Sequence, residues 1–392
     1  MSAKSAIEEK LKEIGAPKKY SPLNPNETYI QRWDAELEEF SEDIEDYYDE
    51  NRQTDEEKEQ KLEILKEIED YLVKKLFVQP INGIQYEVRA VVPFGSSASA
   101  LGMAGGDLDM TICVHPPLGR KRTGEIKQRT NDILREIVKS IESGKMLNDR
   151  EIEDMEHRDG ARVPIINVLI DGVEVDISVS MTVLVSEQYL AAKMIDAYAK
   201  YDHRFILLAA FVKKWLKSKK TDNNEDYYRT VFPNSCCSVL LVVFFMKQYK
   251  LLPNLGARHP SLIENVSWVK ARGGESGSFG IPNAEVKRWK DSNHCDVSLG
   301  TLFLLFLEYY ANLDFMNYKL LVEEGELRHK RKAIFLSFRD AMEIVINTDV
   351  SEIEEELMED VLPDVCSYSK TQLNKLRRQG LHFGKQPRKF EK

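Results

Sequence analysis

Residues 85–114 read QYEVRAVVPFGSSASALGMAGGDLDMTICV, and this stretch decides the fold class. Its first ten residues, Gln85 to Phe94, are rich in β-branched and aromatic side chains and predict a strand that delivers the chain to Gly95-Ser96. Glycines at 95, 102, 105 and 106 then allow backbone amides to come close to phosphate oxygens, and the Ser96 hydroxyl adds a further donor. Asp107 and Asp109 stand two residues apart at the start of the next strand-like run. Their side chains therefore share one face while Leu108 and Met110 take the other. A third carboxylate, Asp176, lies in GVEVDISVS (172–180), where Val173, Val175, Ile177 and Val179 form the apolar face and Asp176 looks outward.

Two like charges on one face call for cations. A divalent ion with oxygen ligands meets that demand, and Mg²⁺ or Mn²⁺ at Asp107, Asp109 and Asp176 would activate an attacking hydroxyl and neutralise a leaving pyrophosphate. An isolated Asp-x-Asp pair reads as the solvated edge of a sheet. The Gly-Ser loop upstream and the third carboxylate downstream change that reading to a triphosphate cradle beside a carboxylate metal site, whose chemistry is nucleotidyl transfer.

The 392 residues with 42% hydrophobic content suffice for two packed domains. Five cysteines, at 113, 236, 237, 295 and 366, include no C-x-x-C pair, which points to a reducing compartment and no structural zinc. The longest apolar run, Val239 to Met246, is too short to span a bilayer. Met1 to Lys12 is polar and charged, without the apolar centre of a signal peptide. A soluble protein with no membrane association is expected. The cytoplasm, RNA granules included, is the expected location, with the nucleus as an alternative.

The formal net charge of −10 is segregated along the chain. Asp34 to Glu59 holds 14 acidic and two basic residues, whereas Lys370 to Lys392 holds eight basic and one acidic. The tail interleaves Lys375, Arg377, Arg378, Lys385, Arg388 and Lys389 with His382, Phe383 and Phe390. It reads either as a surface for phosphate contact and base stacking or as a solubilising end. The acidic segment reads as a solvated face or, through Phe40, Ile44, Tyr47 and Tyr48, as a docking surface for a protein partner. Leu62, Leu65, Ile68, Leu72 and Leu76 recur at helical spacing and predict an amphipathic helix that packs on the helical domain. Arg120, Lys121, Arg122, Lys127 and Arg129 line either an RNA path or a solvated loop, and ARGGESGSFGIPN (271–283) is the clearest surface loop.

At Gly95-Ser96, Asp107, Asp109 and Asp176 the chain resembles the DNA polymerase β nucleotidyltransferase superfamily. Within it, the resemblance is to the eukaryotic RNA terminal nucleotidyltransferases that add poly(U), poly(UG) or poly(A) without a template. It continues through ARVPII (161–166), FVKKWLK (211–217), Pro233-Asn234-Ser235, LPNL (252–255) and Ser298-Leu299-Gly300 to Phe315, and so covers about 79–345. The resemblance implies an α+β fold in which a nucleotidyltransferase domain, a mixed β-sheet with flanking helices, is inserted into a mostly helical central domain, with the nucleotide cleft between them. The expected division is an acidic helical segment at 1–78 packing on the central domain, the catalytic domain at 79–190, the helical domain at 191–369 and the basic tail at 370–392.

On the same resemblance, Gly95, Ser96, Lys213, Lys217 and Ser235 contact the triphosphate, although Lys213 and Lys217 also read as an ordinary solvent-facing helix side. His329 is the nearest counterpart of the histidine by which uridine-adding relatives recognise the base, or else part of a basic helix end. Cys236 stands where relatives place a base-stacking aromatic residue, and the ribose-contacting positions fall on Ala191-Ala192 or Ser186. The implied substrates are a nucleoside triphosphate and a single-stranded RNA 3′ end, with UTP, or UTP together with GTP, as the expected nucleotide. A poly(A) polymerase of the same family is the alternative, as is a catalytically silent scaffold in an RNA-processing or silencing complex. The lack of a recognisable RNA-binding module implies a protein partner that supplies RNA specificity.

Overall fold

The computed structural model describes residues 34–116, 123–161, 163–181, 187–222, 235–255, 281–293, 297–311, 318–322, 325–329 and 343–344. The chain divides into two compact units, one built chiefly within Asn51–Lys200 and the other within Met1–Glu50, Tyr201–Arg258 and Asn283–Lys392.

In the first unit a five-stranded sheet comprises β1 (Glu87–Phe94), β2 (Leu108–His115), β3 (Ile152–Arg158), β4 (Ile165–Ile170) and β5 (Val173–Ser180), in the order β1-β2-β5-β4-β3. Strands β2 and β5 run parallel and the other neighbours run antiparallel, so the sheet is mixed. Two helices cover one face: α2 (Asp55–Lys74), preceded in the chain by α1 (Asp34–Asn51), and α3 (Thr123–Glu142). Thr54 starts α2 with a reciprocal capping box, its hydroxyl accepting from Glu57 N–H while the Glu57 carboxylate accepts from Thr54 N–H. Ile64, Leu65, Ile68 and Leu72 of α2 and Ile133, Leu134, Ile137 and Ile141 of α3 share one core with Leu108, Met110, Ile112, Ile166, Val168, Val175 and Ile177. Because side chains alternate across a strand, this packing directs Asp109, Asn167, Glu174 and Asp176 to the opposite face.

The helix expected over 62–76 is therefore present, and its buried stripe packs on the sheet. The stripe differs by one position from the expected one: Ile64 lies inside and Leu62 is 58% exposed. The apolar residues at 62 and 65 were equivalent by spacing alone, and the sheet surface selected the face carrying Ile64. Arg150 pins α2 to the β4–β5 turn, donating to Glu67 Oε2 at 3.0 Å and Asp171 Oδ2 at 2.9 Å.

The first unit ends with α4 (Glu187–Tyr201). The second contains α5 (Arg204–Asp222), α6 (Ser235–Gln248), α7 (Asn283–Asn293), α8 (Leu299–Ala311) and a small sheet of β6 (Tyr318–Leu321), β7 (Glu326–His329) and β8 (Glu343–Ile344). Phe40, Phe211 and Phe303 pack edge-on or tilted in its core, followed by Phe306, Phe245, Tyr309 and Tyr310. Thus the acidic helix α1 buries its apolar stripe, Leu37, Phe40 and Ile44, within this unit. Gly300 N–H donates to Ser41 Oγ at 2.8 Å, and a side chain at 300 would collide with the Leu37 carbonyl, which gives the Ser298-Leu299-Gly300 landmark a packing reason.

Among the described residues, Cys113, Cys236 and Cys237 are free cysteines, and no helix is long and apolar enough to cross a membrane. The basic tail, Arg120, Lys121, Arg122, the 271–280 part of the surface loop, Ser186 and Phe315 lie outside the described residues. Of the remaining basic cluster, Lys127 donates to the Gly160 carbonyl and Arg129 pairs with Glu125.

Candidate active site

The β1–β2 connection builds the site. Phe94 is the register partner of Asp109, so the chain leaves β1 directly above the carboxylate on β2. Gly95 then turns with φ +71°, and a β-carbon there would lie 2.1 Å from Asp109 Oδ2. Only glycine fits both the left-handed backbone and the close approach. Across the parallel ladder, Asp109 is the register partner of Asp176. The next strand contributes Asn167, the register partner of Asp176, whose Nδ2 donates to Asp176 Oδ1 at 2.8 Å and to Glu174 Oε1 at 2.9 Å. Asp107, exposed and immediately before β2, completes the set on the side of the loop.

The rest of the loop behaves differently from the expectation. Gly102 N–H donates to the Ser99 carbonyl at 3.1 Å and Gly106 N–H to the Met103 carbonyl at 3.1 Å. Gly105 N–H donates to Glu57 Oε1 at 2.7 Å. These amides, expected to approach phosphate, instead close turns and fasten the loop to α2. Of the expected phosphate-facing loop, the Gly95-Ser96 end remains the candidate. Asp196 of α4 anchors the same loop by accepting from Ala100 N–H at 2.9 Å. Burial pushes the Asp196 carboxyl above its ordinary range, against the opposing effects of that amide and of Lys193.

Sequence reading missed two further residues. Asn167 sets the orientation of the third carboxylate. Lys61, buried on α2, donates to Ser97 Oγ at 3.1 Å and Gln53 Oε1 at 3.2 Å, and the Ser97 hydroxyl in turn donates to the Asp107 carbonyl. Burial pushes the Lys61 ammonium down from its usual value, and Glu57, Asp107 and Asp109 oppose that effect.

The structure thus gathers Gly95, Ser96, Asp107, Asp109 and Asp176 on one sheet. Lys213 on α5 and Ser235, the first residue of α6, belong to the other unit, as does the backbone of Lys217 on α5. The Lys217 side chain lies outside the described residues. His329 ends strand β7, opposite Tyr318, rather than a helix, and its side chain is likewise outside them.

Among the described residues, no three His, Cys, Asp or Glu side chains already converge tightly enough to hold an ion. The donor chemistry nevertheless fits a hard divalent cation: the ligands are carboxylate oxygens on adjacent strands, with one of them held by an amide donor.

Comparison with known proteins agrees with this geometry. The family described as "Poly(A) RNA polymerase, mitochondrial-like, central palm domain" matches residues 40–200. The match is to the palm domain of that family and takes in the whole five-stranded sheet. The mitochondrial poly(A) RNA polymerase of Drosophila melanogaster is 25% identical over 251 residues, covering 60% of this chain and 39% of that protein. The Caenorhabditis elegans poly(A) RNA polymerase gld-2 is 26% identical over 289 residues, covering 71% of this chain and 23% of that protein. The chain therefore spans well under half the length of either relative. The likeness of fold extends over most of the chain: a solved structure of a GLD-2/RNP-8 complex superposes with a TM-score of 0.62 at 20% identity, covering 87% of this chain and 98% of that one.

Proposed function

We propose that the chain adds ribonucleotides to RNA 3′ ends without a template. The observation that carries this reading is the register of Asp109 with Asp176 across a parallel ladder, directly under the Gly95 turn. In the reaction the 3′ oxygen of the RNA forms a bond to the α-phosphorus of the incoming triphosphate, and the bond from that phosphorus to pyrophosphate breaks. Asp107, Asp109 and Asp176 would hold a divalent cation, which when bound eases deprotonation of the 3′-hydroxyl and balances charge on the pyrophosphate. Gly95 keeps its own side of the turn clear, so that the Asp109 carboxylate can stand beneath the phosphates. Ser96 donates to a phosphate oxygen, and Asn167 fixes the Asp176 carboxylate by donating to its Oδ1. Lys213, Lys217 and Ser235 add charge and donors for the β- and γ-phosphates, a role that rests on the family resemblance. Positioning and charge neutralisation supply most of the acceleration in such a site.

For the base, the two curated relatives are named as poly(A) RNA polymerases, which supports ATP as the nucleotide added. Cys236 at the first turn of α6, in place of the stacking aromatic residue of the family, supports the second reading, in which UTP or UTP with GTP is incorporated. The chain also works with a protein partner that presents RNA, since a relative of the same fold was solved in complex with RNP-8. Incorporation of each ribonucleoside triphosphate, alone and in pairs, onto labelled single-stranded RNA tests the proposal. Extension with ATP alone supports adenosine addition, extension with UTP or UTP and GTP supports the second reading, and no extension with or without a partner rejects transfer.

A further inference from the structure

Behind the catalytic turn, the stretch from Asn51 at the end of α1 to Lys61 in α2 is bonded to the Gly95–Asp107 loop at four points, all within the sheet unit. Ala104 N–H donates to the Asn51 carbonyl at 2.7 Å and Gln53 N–H to the Gly102 carbonyl at 2.9 Å. Glu57 accepts from Gly105 N–H with one oxygen and from Thr54 N–H with the other, so that one carboxylate both starts the helix and holds the loop. The fourth bond comes from Lys61 and is chemically unlike the rest. Position 61 belongs to the buried stripe of α2 with Ile64, Leu65, Ile68 and Leu72, and the lysine is only 4% exposed. Packing alone would favour leucine or methionine there, because a buried ammonium is costly unless other groups compensate it. The compensating groups are those of the site: Nζ meets Ser97 Oγ and Gln53 Oε1, Ser97 meets the Asp107 backbone, and the Asp107 and Asp109 carboxylates act on the ammonium through space.

We propose that Lys61 is a positioning residue: acting through Ser97, it fixes the Gly95–Asp107 loop and the start of β2 in the form that receives a triphosphate, and its charge offsets the mutual repulsion of Asp107 and Asp109. This rests on the nucleotidyl-transfer reading of the site.

The test compares the intact chain with Lys61→Met, Ser97→Ala and the double variant. Amide hydrogen exchange over 95–107 is measured without ligand, nucleotide binding without RNA, and KM and kcat with RNA. Methionine keeps the stem and removes the charge. The expected result is faster exchange confined to the loop, a roughly tenfold rise in KM for the triphosphate with a smaller change in kcat, and a double variant no worse than Lys61→Met, because both residues lie on one relay. Unchanged loop exchange, an unchanged KM, or effects of the two substitutions that multiply would each overturn the proposal. Should Lys61→Met fail to fold, Ser97→Ala, which leaves the buried stripe intact, decides by the same criteria. If the intact chain neither binds nor transfers nucleotide, the functional reading falls and this proposal with it. If the intact chain does both and the variants match it, the role of Lys61 alone is rejected.

Discussion

Gly95→Ala separates the chemistry of the site from its stability. Clearing a β-carbon that would sit 2.1 Å from Asp109 Oδ2 to the 3.0 Å minimum of real contacts requires a displacement of about 0.9 Å. A misplacement of about 1 Å in a site that works by positioning costs on the order of 10²-fold in rate. The left-handed backbone adds a folding cost of about 1–2 kcal/mol for a non-glycine residue. For a domain of this size that corresponds to a fall in Tm of about 2–8 °C. Gly144, in the turn after α3, supplies the control: its φ is +62°, and nothing lies within 4 Å of where its β-carbon would go. Gly144→Ala should lose similar stability while keeping its rate within about twofold, since only backbone strain is added. The assay pairs thermal unfolding with single-turnover extension of labelled RNA. Full transfer by Gly95→Ala, or an equal loss in Gly144→Ala, would refute the close approach of the turn to Asp109 as a requirement of the site.

Asn167→Ala should slow transfer by about 10–100-fold and raise the concentration of divalent cation needed, as loss of an outer-shell partner does, with little change in Tm; an unaltered metal titration would remove Asn167 from the site. On α2, Ile68→Ala should cost about 2–5 kcal/mol of stability, whereas Leu62→Ala should stay within about 0.5 kcal/mol, and equal denaturation midpoints would contradict the face assigned to the helix. The Arg150 guanidinium, followed by the Glu151 amide, holds the Asp171 carboxyl below the ordinary range. Because the folded pKa is the lower one, the stability this provides is present above the unfolded value of about 3.9 and is lost as pH falls through the folded value. The advantage of the intact chain over Asp171→Asn in urea unfolding should therefore be full near neutrality and shrink below about pH 4; a pH-independent difference would exclude this linkage.

Alternation and spacing made the core of the site legible. Asp107, Asp109 and Asp176 follow from period-two patterning around apolar strands, and the turn at Gly95 from the end of a β-branched run. How many amides of the Gly95–Asp107 loop stay free was not legible, because composition shows that Gly102, Gly105 and Gly106 can free their amides but not that Ser99, Glu57 and Met103 engage them. The buried stripe of α2 shifted for a similar reason, since helical spacing fits 61-64-65-68-72 as well as 62-65-68-72-76 until the sheet selects a face. Lys61 reaches its partner Ser97 across 36 residues, and no local pattern marks that contact. Asn167 did leave a signal: Asp171-Gly172 is a hairpin turn sequence, and a tight turn centred there sets residue 167 opposite 176, as the register confirms. The positions proposed to bear on base choice, Cys236 and His329, follow neither periodicity nor turn chemistry and rest on resemblance alone.

The most direct test of the central claim is extension of a labelled single-stranded RNA by the intact chain, compared with Asp107→Ala/Asp109→Ala and with Asp176→Ala, in Mg²⁺ or Mn²⁺. The intact chain should extend the RNA, and both carboxylate variants should lose extension while keeping their thermal unfolding. Extension that survives removal of either set of carboxylates would contradict the claim.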